Sequence, residues 1–150
     1  MQLDYRFQAR FTDSIELGPV DGGLRIDNYF DGRMTEGALT GARVRGVDQV
    51  RIREDASVVL DIRETIETDQ GAISADARGY AIPDPGAPHR HTIQGFALFT
   101  TAVPEYADYN SAVVAIDGTV DMSTGAIDVA GRALTPAAHE RTATPSGIAA

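Results

Sequence analysis

Asp61, Arg63, Thr65 and Glu67 occupy alternate positions of one stretch, Val58 to Gly71, and that spacing has an evident chemistry if the stretch is extended. Successive side chains of a strand point to opposite faces, so these four share one face while Val58, Leu60, Ile62, Glu64 and Ile66 share the other. Turned toward an enclosed pocket, Arg63 between two carboxylates binds an oxyanion or carboxylate. Asp61 or Glu67 then acts as a general base, its proton affinity raised by burial or lowered by the arginine. Turned toward water, the same row is an ordinary strand surface of weak cross-strand ion pairs. The direction of this row decides whether it is a site.

Two further groups carry chemistry. His89 and His91 stand at i and i+2, on one face if extended, as a metal site would want. A third ligand at fixed spacing is missing, so the expectation is a solvated pair and no metal, with both histidines able to shuttle protons near a pocket mouth and His91 a ligand contact. Tyr106, Tyr109 and Asn110 offer phenol and amide donors to a carbonyl oxygen; the ordinary alternative is a tyrosine packed on a rim with the asparagine capping a turn. No serine lies in a nucleophile-elbow context, and the glycines have neither phosphate-loop nor dinucleotide spacing, so no cofactor is expected.

Composition narrows the classes. The 150 residues contain no cysteine, which excludes disulfides and thiolate chemistry, and all thirteen basic residues are arginine, which excludes a Schiff-base lysine. A formal net charge of −9 argues against nucleic acid or an anionic membrane as partner. The N-terminus has no basic segment followed by an apolar core, and no eighteen apolar residues run together, so the cytoplasm is the expected location.

The elements that would position these groups are strands. Leu3 to Phe11 alternates without a fault, Gly18 to Gly23 reads as a connection, and Leu24 to Phe30 reads as a strand closed by the hairpin pair Asp31-Gly32. Ala38 to Arg45 gives a third strand broken at Gly41, Gly46-Val47-Asp48 reads as a turn, and Gln49 to Arg53 leads into the Val58 strand. Ala72 to Ile82 follows. Three prolines between Pro83 and Pro88 predict an exposed loop, and His91 to Thr101 returns to strand. Pro104 to Asn110 is a loop or one short helical turn before strands at Ser111 to Thr119 and Ala126 to Ala133. With no helical stripe, the expectation is an all-β fold: a single antiparallel β-barrel of about 8–9 strands over residues 1–133, then a flexible tail over 134–150.

Several of these segments, Gly41-Ala42-Arg43-Val44 with Gly46-Val47-Asp48, Leu60-Asp61-Ile62-Arg63, Glu67-Thr68-Asp69-Gln70-Gly71, Phe99-Thr100-Thr101 and Tyr106 with Asn110, form a recognisable set. The set resembles the uncharacterised family called domain of unknown function 3237, with its "GxV…GGADW", "LDARYTLETDDG" and "FRT…YAWLN" patterns, over roughly Leu3 to Arg132. The resemblance implies a lipocalin-like barrel and no agreed reaction. It carries Asp48, Asp61, Arg63, Thr65, Glu67, Tyr106 and Asn110 into the candidate site, with Asp48 at the rim. The chain departs from the pattern at Gln49, Glu64, Asp108 and Tyr109, where the family has aromatic or leucine residues.

Together these readings lead to a cofactor-independent enzyme of isomerase, cyclase or lyase type, acting by acid/base chemistry on a hydrophobic or aromatic small molecule. Asp61 or Glu67 would be the base, Arg63 the charge stabiliser, and Tyr106 and Asn110 the donors. Arg63→Met is then expected to abolish turnover. The alternative is a lipocalin-like carrier, which needs a pocket but no preference for a transition state. An inward ladder would leave Leu60, Ile62 and Ile66 pointing outward and in need of a partner, so a homo-oligomer is expected with it.

Overall fold

In the computed structural model, which describes residues 1–134, eight antiparallel strands pair in chain order and the last closes on the first. They are β1 (Tyr5–Val20), β2 (Gly23–Gly37), β3 (Arg43–Ile52), β4 (Val58–Thr68), β5 (Gly71–Asp84), β6 (Ala87–Thr101), β7 (Val114–Asp121) and β8 (Ala126–Ala133). A 3-10 helix, Pro104–Ser111, joins β6 to β7. The all-β barrel expected from alternation is the fold. The 134–150 tail expectation lies, apart from Leu134, outside the described residues.

Several boundaries differ from the sequence reading. Asp31-Gly32 is not a hairpin but the middle of β2, where Asp31 pairs with Arg45 and Gly32 with Val44. Glycine is needed there for close approach: a Cβ on Gly32 would lie 2.1 Å from the Gln8 carbonyl oxygen of β1. Gly46-Val47-Asp48 is not a turn but the centre of β3, and the chain reverses instead at residues 38–42. Pro83 and Pro88 lie within β5 and β6, leaving only Pro85-Gly86 in the turn. Proline is tolerated at such strand ends because few ladder donors are needed beside a hairpin turn.

The two ends of the barrel differ. At the end that carries the 38–42 and 69–70 connections, Tyr109 of the 3-10 helix, Leu39, Met34, Val44, Ile66, Ile73 and Val114 are all fully buried. The Tyr109 hydroxyl donates to the Leu3 carbonyl at 3.1 Å, and its ring lies 5.1 Å from that of Phe99. This end is plugged. At the other end the core-facing positions Leu24, Ile26, Ile52, Val58 and His91 are only half-buried, which marks the mouth. Pairing of β1 with β8 stops at Arg10 and Ala126, so beyond it β1 pairs with β2 alone.

Candidate functional site

The polar row of β4 lies on the outer wall of the barrel, with Arg63 exposed, Asp61, Thr65 and Glu67 half-buried, and Asp61 Oδ1 buried without a hydrogen-bond partner. Arg63 reaches Asp76 of β5 at 2.7 Å and Asp61 at 3.7 Å, Arg78 reaches Asp61 at 3.5 Å, and Glu67 is held by Arg45 at 2.7 Å and Arg43 at 3.8 Å. Thr65 sits between Arg45 and Ser74 on the same outer wall. The inward orientation expected of Asp61, Arg63, Thr65 and Glu67 is therefore corrected. The cause is hydrophobic: β4 has one apolar face, and a closed barrel buries it, so Leu60 and Ile66 line the core and are not left for a partner. Arg63→Met is now expected to leave ligand binding in the barrel unchanged and to shift the urea unfolding midpoint no more than an ordinary surface substitution does.

Tyr106, Tyr109 and Asn110 are also placed apart from any inner site. Asn110 accepts from the Thr101 N–H at 2.7 Å through its side-chain oxygen and donates to the Thr101 carbonyl at 2.9 Å, which ties the helix to the end of β6. Tyr106 packs against the core from the plugged end. These are the capping and packing roles that stood as the ordinary alternative. His89 is exposed near the β5–β6 turn, whereas His91 faces inward at the mouth between Pro83 and Val120, with a buried Nδ1 that has no hydrogen-bond partner.

What the alternation does place inside is Glu64, the one charged residue on the apolar face of β4. Only 6% of its surface is exposed, and it stands directly across from Gly46 of β3. Two positions along β3 on the same face is Asp48, so the two carboxyl groups are diagonal neighbours; such pairs have backbones separated by about 7–8 Å. Asp48, expected at the rim, is in the wall of the interior. The β3–β4 ladder is interrupted between the Asp48/Ile62 and Arg51/Val59 pairs, and in that gap the Asp61 N–H donates to Asp48 Oδ1 at 3.2 Å. Next to Asp48 in register is Asn28 of β2, buried, whose side-chain oxygen accepts from the Ser14 hydroxyl at 2.5 Å.

Asp48 and Glu64 share a cavity of about 50 Å³, counted as the space open to the centres of water molecules. One water needs roughly 10–15 Å³ on that measure, so there is room for several waters or a single small organic molecule. Apart from the Tyr5 phenol the rest of its wall is hydrocarbon, with four aromatic rings from Tyr5, Phe7, Phe11 and Phe30 on the β1–β2 side. Among the described residues no arginine lines it. Every arginine ion pair among the described residues lies on the outer wall or at the strand ends, so neither inner carboxyl has a cation to hold its charge.

The electrostatic consequence follows from burial. Removal from water disfavours the charged form of a carboxyl group. Burial pushes Asp48 up to about 7, an effect opposed by the Asp61 N–H and reinforced by the Asp61 charge. Burial pushes Glu64 up to about 8, with the Asp48 charge adding to it. The Tyr5 phenol is raised well above its ordinary value by burial and then by Glu64, so it stays protonated and available as a donor. The pair thus sets two carboxyl groups of raised proton affinity on diagonal positions of a mainly apolar wall.

Comparison with known proteins bears on the fold. No family model matches the chain, and no curated protein matches it. Among solved structures the chain is similar to a beta-barrel like protein from Acinetobacter baumannii AYE, at 22% identity over 89% of this chain and 94% of that one, with a TM-score of 0.73. It is also similar to a conserved protein of unknown function from Rhodopseudomonas palustris, at 16% identity over 89% and 99% of the two chains, with a TM-score of 0.74. A third, a protein of unknown function from Clostridium acetobutylicum ATCC 824, shares 19% identity over 87% and 96%, with a TM-score of 0.71. At these identities the likeness establishes a shared closed barrel.

Proposed function

We propose that the barrel binds a small, mainly hydrocarbon molecule and moves a proton on it, without a cofactor, through Asp48 and Glu64. The observation that supports this reading is the placement of two carboxyl groups, with no cation partner among the described residues, against one compact apolar cavity. Ionised Asp48 takes a proton from a carbon or oxygen of the ligand as that bond breaks. Protonated Glu64 donates one to another atom, so that a double bond shifts and no net proton is consumed. General acid/base catalysis works best when the proton affinities of the groups lie near the working pH, which is the range burial confers on this pair. The isomerase, cyclase and lyase class expected from the sequence is kept, with its catalytic residues moved from the outer ladder to the inner pair. The resemblance to the family of domain of unknown function 3237 remains part of this proposal.

The test is exchange of carbon-bound protons of acetophenone for deuterium in heavy water, followed by NMR. The native protein should accelerate exchange over buffer. Asp48→Asn should reduce the acceleration on the order of 10²-fold or more, and Arg63→Met should retain it. Absence of acceleration, with ligand-induced shifts of the Ile93 and Ile116 methyl signals, would replace this reading with that of a carrier. The carrier reading is favoured by one observation, the predominance of hydrocarbon in the cavity wall.

A further inference from the structure

Resting on that reading of the cavity, we infer that its ligand is a small hydrophobic cation, an amine protonated at neutral pH and joined to a single ring or a short hydrocarbon body. The wall composition carries the argument. Two carboxyl groups, Asp48 and Glu64, and four aromatic rings line the space, and among the described residues no arginine does. Aromatic faces attract cations through the ring quadrupole, most strongly where water is excluded, and a carboxylate completes the recognition of an ammonium. A carboxylate or phosphate ligand would meet like charge with no cation among the described residues to offset it. A neutral alcohol would use only part of what the wall offers.

Among the described residues, the titratable groups that face the space are Tyr5 from β1, Asp48 from β3, Glu64 from β4 and, at the mouth, His91 from β6; the core-facing positions of β2, β5, β7 and β8 carry none. Asp61 acts on Asp48 through the wall, and Glu16 is exposed at the tip of β1. An ammonium entering between the carboxyl groups stabilises one of them as carboxylate, so that group releases its proton to solvent while the other keeps the capacity to move a proton. Binding therefore releases protons, and affinity follows pH with a slope equal to their number.

The experiment is isothermal titration of the native protein with benzylamine, benzyl alcohol and benzoate, three molecules of one shape and different charge, in two buffers of different ionisation heat. Benzylamine is expected to bind at least tenfold more tightly than benzyl alcohol, with benzoate weakest. At about pH 7 it should release roughly half a proton to one proton per molecule bound, and its affinity should fall as pH drops from about 8 to about 6. In Glu64→Gln the benzylamine advantage should shrink. Should that variant fold poorly, the pH profile of the native protein gives the same reading. Benzyl alcohol binding as tightly as benzylamine, benzylamine binding without proton release, or no benzylamine binding would each overturn the inference. If acetophenone still exchanges its protons in any of those cases, the proposed function stands and only the ligand class falls.

Discussion

Raising the pH from about 5 to about 9 is expected to cost the folded protein on the order of 5 kcal/mol, a loss centred on one side chain. Glu64 has its proton affinity raised from the ordinary 4.5 to about 8, and each tenfold change corresponds to about 1.36 kcal/mol. Between those two values the folded chain holds a proton that the unfolded chain has lost, so stability is greatest below the lower value and is lost as pH rises through the upper one. Asp48 acts in the same direction. Asp31 and Asp128 act oppositely: their arginine partners hold them below the ordinary range, so their contribution is present near neutral pH and is lost only in acid. Urea unfolding midpoints should therefore peak below about pH 5, where the acid-side losses at Asp31 and Asp128 begin, and decline steadily from about pH 5 to about pH 9. Glu64→Gln should flatten the decline. A profile that is level from about pH 5 to about pH 9 in the native protein would show that Glu64 ionises freely.

The second large effect is expected at Gly46, directly across β3–β4 from Glu64. A Cβ there would lie 2.2 Å from the Arg63 carbonyl oxygen, 2.8 Å from the Glu64 Cα and 2.9 Å from its Cβ. Two of these obstacles are backbone atoms and cannot rotate away. Gly46→Ala must part the two strands beside the gap in which Asp48 already replaces ladder hydrogen bonds. The expected destabilisation is about 3 kcal/mol, the upper part of the range for overpacking. Amide hydrogen exchange should quicken at residues 63 and 64 and at their β3 partners. Gly86→Ala is the control, since a Cβ in that turn meets nothing within 4 Å. Equal stability losses in the two variants would mean that close approach at Gly46 has no special weight.

The barrel was legible because alternation in segments such as Tyr5 to Phe11 and Val58 to Thr68 reports one buried and one wet face wherever the chain pairs. The site was less so, for two physical reasons. Glycine reads locally as a turn former, yet in a small closed barrel it also stands where neighbouring strands press together. Gly46 therefore hid Asp48 inside a supposed turn, and Gly32 shortened β2. The second reason is that charge density drew attention to Asp61, Arg63 and Glu67, although charges of both signs at alternate positions are what an outer wall needs for cross-strand pairing. The informative residue was the isolated one. A single carboxylate among Leu60, Ile62 and Ile66 must be buried wherever its neighbours are, and that signal is present in the sequence at Glu64.

The claim beneath both the stability and the ligand predictions is that two carboxyl groups inside this barrel keep protons at pH values where surface carboxylates have lost them. Carbon-13 NMR titration of the side-chain carboxyl carbons, with aspartate and glutamate labelled and Asp48→Asn and Glu64→Gln used for assignment, reads this directly. The expected result is two coupled steps, near about 7 and about 8, belonging to Asp48 and Glu64. Titration of both groups at the ordinary carboxylate values of 3.8 and 4.5 would contradict it.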